Sequence, residues 1–306
     1  MTGYIIRRIL WMIPLLWAIA TVTFFLMHAV PGGPFAAEKP VPETVQRALN
    51  ARYHLDQSIF EQYGLYFWDL AHLDLGLSFR GDQDVLTILK DGFVVSAQLG
   101  VMSFLVAAGL GMGLGVLSAL NRNRPMDYAG VFIATAGAAL PSFVLATFLT
   151  IIFAVHLGWF DVLGWEFGNY RKMVLPIVSL SVLPMAYIAR VTRASMLEAL
   201  SQDYVRTARA KGLRDQVIVV RHTLRNALIP ILTVLGPIFA VLITGSFIVE
   251  HLFAIPGIGR QFVTSVQARD YGVIMGTTLF YATVVITANL LVDIAYAVVD
   301  PRIRYR

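Results

Sequence analysis

The chain has 306 residues, 57% of them hydrophobic and 14% charged, with a mean hydropathy of +0.69. That balance excludes an ordinary soluble domain, and several uncharged runs of about 20 residues are long enough to cross a hydrocarbon core about 30 Å thick. The net charge of +5 is small and dispersed, which argues against nucleic acid, and the lack of cysteine excludes disulfides and thiolate metal sites without fixing a compartment.

Residues 9–29 form the first apolar run, with Arg7 and Arg8 ahead of it and His28 as its only titratable group. The run is long for a secretory signal, and Val30-Pro31-Gly32 follows where a small-x-small cleavage site would stand. It reads as a retained span whose arginine pair anchors topology rather than directing twin-arginine export. Residues 31–92 carry five cations against nine acids and are expected outside. Some 60 residues without structure would be unusual. Segments 42–56 and 58–73 read as helices, the second with Phe60, Tyr63, Tyr66, Phe67 and Trp68, aromatics that pack a small subdomain or lie at the membrane interface. Residues 85–89 read as a short helix along the membrane.

Residues 93–120 read as the second span. Gly109, Gly111, Gly113 and Gly115 make two i,i+4 pairs that let another helix approach closely, and with no strand before them they are not a nucleotide loop. Residues 121–127 form a short inside loop with Arg122 and Arg124. The uncharged stretch 128–160 is longer than one straight helix needs and is expected to bend at Pro141. Residues 161–172, after Trp159 and including Trp165, read as an outer loop. The fourth span, 173–189, contains Pro176 and Pro184, which remove backbone donors and favour kinks. Such kinks suit either a moving wall or a static bend fixed by packing.

The fifth span, 226–249, contains Pro230 and Pro237. Residues 250–270 read as an outer loop whose turn at 255–259 uses glycine for backbone freedom. Tyr271–Val299 is the last span. On it Asn289, Asp293 and Tyr296 share one face. An acid inside a span is costly and so a candidate for a proton or substrate path. Asp293 lies near the inner end, close to Arg302, Arg304 and Arg306, which favours a structural hydrogen bond or ion pair.

Between the fourth and fifth spans lies the longest late polar stretch, 190–225, with eight cations against three acids. A basic segment between spans is expected in the cytoplasm. Ser201 is a candidate N-cap, Asp203 falls in the first turn, Arg209 and Lys211 in the last, and Gly212 is a helix stop. Tyr204, Val205, Ala208 and Leu213 would share an apolar face. The segment is thus a solvated loop obeying the topology rule or a surface helix that plugs into a cytoplasmic partner. Six spans with both ends inside place fifteen of the 24 cations inside. The sequence has no Gly-x4-Gly-Lys-[Ser/Thr] phosphate loop and no His-Glu-x-x-His, and its six histidines show no metal-ligand spacing. No catalytic residue and no metal site is expected.

The run Asp203, Tyr204, Val205, Arg206, Thr207, Ala208, Arg209, Ala210, Lys211, Gly212 and Leu213, followed by Arg221-His222-x-Leu224-Arg225-Asn226-Ala227-Leu228-Ile229-Pro230, resembles the coupling-loop motif of ABC-importer permeases. It is most similar to the dipeptide and oligopeptide branch, in particular to the B-type membrane subunit of oligopeptide importers. Arg206 and Thr207 stand where the general motif has Glu and its first Ala, while Ala208 and Gly212 keep their places. The turn at 255–259, Glu250 three residues before Phe253, and the C-terminal Asp300-Pro301-Arg302-Ile303-Arg304-Tyr305 extend the resemblance to the whole chain.

The resemblance implies an all-α polytopic membrane protein with six transmembrane helices in the type I ABC-importer permease architecture. It implies a cytoplasmic N-terminus and first span (1–30), an extracytoplasmic loop subdomain (31–92) and a five-span core with its coupling loop (93–306). Such a subunit is non-catalytic and forms half of a path for oligopeptides or dipeptides in a bacterial or archaeal cytoplasmic membrane. Its partners would be a homologous second permease, two ABC ATPases that hold ATP and magnesium, and an extracytoplasmic peptide-binding protein. Glu250, Phe253, Pro256, Gly257 and Gly259 would form an outer gate or binding-protein contact. Asn289 and Asp293 would be structural polar groups within the membrane. Relatives with similar permeases carry nickel chelates or glutathione, and a proton-driven carrier built on Asp293 is the remaining alternative.

Overall fold

The computed structural model describes residues 2–35 and 42–299, with side chains from residue 6 to residue 294. The C-terminal stretch 300–306, including Arg302, Arg304 and Arg306, lies outside the described residues. Helices carry the described chain, apart from one isolated β-bridge between Leu77 and Asp84. Among the described residues, five helices are long and apolar enough to cross a membrane, and a sixth crossing is available if one bent pair counts as a single span.

The helix α1 (Thr2–Ala29) stands at the edge of the bundle, with 11% of its most apolar stretch buried. It packs against α13 (Tyr271–Val299) and against α3 (Ile59–Ala71). The helix α2 (Glu43–Arg52) precedes α3, and both lie within the segments expected to be helical. A capping box starts α3: Glu61 N–H donates to Ser58 Oγ, and Glu61 Oε2 accepts from Ser58 N–H at 2.9 Å. The aromatic stripe divides by role. Tyr63, Tyr66 and Phe67 pack toward Phe24 of α1 and Ile274 of α13, while Phe60 and Trp68 stay exposed.

The short helix expected at 85–89 is not separate. It is the start of α4 (Val85–Leu120), a 36-residue helix capped by Asp84, whose side chain accepts the Leu86 and Thr87 N–H groups. Lys90 and Asp91 point to solvent and Gly92 is buried, so the polar step at 90–92 gives the helix no reason to stop. The helix α5 (Pro125–Ala139) begins with proline at its first position, where no donor is lost. At Pro141 the chain turns by 102° into α6 (Ser142–Leu149), which continues as a π-helical turn, Thr150–His156. The bend is far sharper than a proline kink, so this apolar stretch is either a broken span or a re-entrant loop rather than one straight crossing.

The helix α7 (Tyr170–Leu200) runs unbroken through Pro176 and Pro184. Its closest neighbour is α4, and the glycines explain why. A Cβ on Gly111 would meet the Met185 carbonyl oxygen at 2.8 Å, and one on Gly115 would meet Thr192 Cβ at 2.5 Å. Gly109 and Gly113 have open space instead. One pair of the four glycines thus lets α7 approach, and the other faces away. After α7 come α8 (Asp203–Ala210), α9 (Asp215–Val217) and a π-helical stretch, Ile218–Leu224, that leads into α10 (Arg225–Ile243). The stretch expected as an outer loop contains two helices, α11 (Phe247–Leu252) and α12 (Ile258–Ala268), because Gly257 serves as the N-cap of α12.

Candidate functional site

The α8 segment is built to present a rim. Val205 and Ala208 are buried against Ile218, while Asp203, Tyr204, Arg206, Thr207, Arg209, Ala210 and Lys211 are exposed. Two residues behind α8, the chain is already in α7. The expected cap is displaced by one residue: Ser201 ends α7 by donating its hydroxyl to the Glu198 carbonyl, and Gln202 takes the N-cap position of α8 without a side-chain bond. Of the expected apolar face, Val205 and Ala208 point inward, while Tyr204 and Leu213 are exposed.

The end of α8 is a Schellman turn. Gly212 N–H donates to the Arg209 carbonyl at 2.9 Å, and Leu213 N–H donates to the Ala208 carbonyl at 3.3 Å. Gly212 sits at φ +74°, a region that glycine enters without a Cβ penalty. No atom lies within 4 Å of where its Cβ would stand, so the need for glycine is conformational rather than steric.

Behind α8, an ion pair that sequence reading missed ties three helices together. Arg193 of α7 donates from Nε and Nη2 to the two carboxylate oxygens of Asp127 in α5, both at 2.7 Å. Asp127 also accepts from Ser118 Oγ of α4 at 2.8 Å and from Asn123 N–H at 3.0 Å. Its side chain is 3% exposed. A bidentate guanidinium–carboxylate pair fixes direction as well as distance. The sequence signal was faint: an acid in the first turn of an apolar helix, right after a proline. Arg193 had counted only toward the positive charge of the loop.

At the opposite end of α4 lies the expected outer turn. Glu250, Phe253, Gly257 and Gly259 are buried, and Pro256 is exposed. The first four therefore build the inside of the turn rather than its contact surface. Glu250 Oε1 accepts from Ser96 Oγ of α4 at 2.8 Å and from Ser246 N–H at 3.1 Å, and Oε2 accepts from Arg260 N–H at 3.3 Å. Ser96 Oγ in turn accepts from Ile258 N–H at 2.9 Å. Gly257 lies against this network so closely that a Cβ would stand 2.5 Å from Ser96 Oγ and closer still to Glu250. Phe253 and Ile255 pack with Leu99 and Leu175. The turn is thus fastened to α4 by a carboxylate that has hydrogen-bond donors and, among the described residues, no cation. Ser96 carried no signal in the sequence.

Asp293 pairs with Arg8 of α1. That pair is the one seen among the described residues; the C-terminal arginines expected close to Asp293 lie outside them. Asn289 is half-buried on the same helix, four residues before Asp293.

Comparison with known proteins agrees with this architecture. The family model for the inner membrane component of binding-protein-dependent transport systems matches residues 111–305. The dipeptide transport system permease protein of Bacillus subtilis strain 168 is 47% identical over 305 residues, covering 99% of this chain and 98% of that protein. The oligopeptide transport system permease protein of Escherichia coli strain K12 is 43% identical over the full length of both. Among solved structures, the MetNI methionine ABC transporter in inward-facing form superposes with a TM-score of 0.58 at 19% identity, covering 70% of this chain and 97% of that one. An amino acid ABC transporter with histidines gives 0.55 at 18% identity, covering 69% and 94%.

Proposed function

Because the chain belongs to the family of inner membrane components of binding-protein-dependent transport systems, we propose that it forms half of the translocation path of an ATP-driven importer of dipeptides or oligopeptides. Relatives named for both peptide classes match along the whole length, which supports the substrate class. A homologous second permease completes the path, and an extracytoplasmic binding protein delivers the peptide. Two ATPase subunits hold the ATP and magnesium, and this chain contributes no catalytic group. In this reading both termini and α8 face the cytoplasm, an orientation that the positive charge of the 190–225 segment supports.

The observation that carries the reading is the form of α8. It is a short helix whose buried side is fastened to Ile218, whose exposed rim is cationic, and whose end is fixed by a Schellman turn. A helix held in that way can receive a push from an ATPase and pass it on. Closure of the ATPases on ATP would draw the two permeases' coupling helices together and rock the spans between inward-facing and outward-facing states. Gly212→Pro tests this directly. Proline cannot adopt a positive φ and removes the N–H that bonds Arg209. The variant complex is expected to insert and assemble while losing peptide uptake in proteoliposomes. Normal uptake would show that α8 is not the coupling element.

A further inference from the structure

A push on an eight-residue helix reaches the spans only if the chain behind it is stiff. Two residues join α8 to α7, and α7 contains Pro176 and Pro184, each of which takes one N–H out of the helix ladder and softens it against bending. Arg193 stands about 10 Å along the axis before the end of α7. At that level both oxygens of Asp127 are held by one guanidinium, and the same carboxylate holds Ser118 at the end of α4 and the Asn123 N–H in the turn between α4 and α5. Close contact of Gly115 with Thr192, the residue before Arg193, and of Gly130 with Ser118 leaves these helices no room to slide.

We propose that Asp127 and Arg193 are positioning residues for energy coupling. They pin α4 and α5 to α7 just ahead of α8, so that the three helices follow α8 as one body. This rests on the reading of α8 as the coupling element. Without the pin, displacement of α8 moves the last turns of α7 and is lost before it reaches α5.

The test uses the complete complex, this chain with its second permease, ATPases and binding protein, in proteoliposomes. Peptide uptake and ATP hydrolysis are measured together. The double variant Asp127→Ala with Arg193→Met is the main probe, because replacing a whole buried ion pair by apolar groups is generally well tolerated by the fold. It is expected to assemble and to hydrolyse ATP within about twofold of the parent, while peptide delivered per ATP falls about tenfold, the scale of ordinary coupling energies. A second readout follows the mechanics. The chain has no cysteine, so Tyr128→Cys on α5 and Gln202→Cys at the start of α8, both exposed and outside the 203–213 run, accept a pair of spin labels. Their separation is expected to stay constant on addition of ATP and magnesium in the parent, and to change in the double variant.

An assembled double variant with parental uptake per ATP and a constant label separation overturns the pin. If the double variant fails to assemble, Arg193→Lys replaces it, since it keeps the charge and loses the two-pronged geometry. Parental uptake per ATP in that variant overturns the proposal equally. Absence of ATP-driven uptake in the parent complex would instead overturn the importer reading, and the pin with it.

Discussion

Two buried carboxylates are fastened near opposite ends of α4, and they are satisfied in opposite ways. At Ser96, Glu250 accepts only from neutral donors, a hydroxyl and backbone N–H groups of its own turn. At Ser118, Asp127 accepts from a guanidinium that arrives from another helix. Backbone donors close to Glu250 in sequence close its turn, and one distant neutral hydroxyl, Ser96, ties that turn to α4. A cation from another helix joins separate elements, and removing the acid leaves its half-buried guanidinium, the Ser118 hydroxyl and the Asn123 N–H without their shared acceptor.

Three experiments probe that contrast. Asp127→Ala alone leaves Arg193 without its partner; because that guanidinium is partly open to solvent, the cost is expected at the lower end of the about 3–5 kcal/mol for breaking a buried pair. The thermal midpoint of the purified complex should fall sharply and recover when Arg193→Met is added. Failure to recover would mean that the stranded charge is not the cause. Glu250→Gln is expected to cost less, about 1–3 kcal/mol, because it sets one amide NH2 against an N–H or O–H donor and strands no cation. The same melting experiment, with limited proteolysis to report opening of the 254–259 turn, checks it. If Glu250→Gln proves more damaging than Asp127→Ala, the division between the two clamps is wrong.

The smallest effect is expected at Glu61, where the same pair of donors, a serine N–H and a serine hydroxyl, acts on a carboxylate in water. Those bonds, the Ser58 N–H foremost, hold the Glu61 carboxyl below the usual glutamate range. A lowered folded-state value contributes stability above the unfolded-state value, and that contribution is lost as pH falls through the lowered range. Glu61→Gln cannot titrate but can still occupy the third position of the capping box, and should therefore flatten this acid dependence. An unchanged acid limb would assign the dependence to other carboxylates.

How much of this was legible in the sequence follows the range of the forces. Elements set by local periodicity and caps were readable: the last span at Tyr271–Val299, the two helices between the first spans, and the stop of α8 at Gly212. Elements set by contact with distant residues were not. Glycine at 257 and 259 read as a loose turn, whereas Gly257 starts a helix and lies against Glu250. The acid at 127 sat in a short charged loop, with its cation 66 positions away. Nothing in the spacing of a single sequence marks such a pair. The stripe at Gly109, Gly111, Gly113 and Gly115 announced close packing but not which half of it would be used.

The lightly buried helix α1 is held at two levels. Arg8 pairs with Asp293 of α13, and His28 Nε2 lies 3.2 Å from Gln62 of α3. Just past its end, Arg269 donates to the carbonyls of Pro31 and Gly32. The twenty residues from Arg8 to His28 make about 30 Å of helix, close to the thickness of a bilayer's hydrocarbon core. The distance between these polar contacts thus matches the hydrocarbon thickness, on the helix that the bundle buries least. In thinner or thicker membranes the strain falls first on this peripheral rod and its two fastenings, at a cost of fractions of a kcal/mol per Å, while the close-packed centre of α4 and α7 is spared.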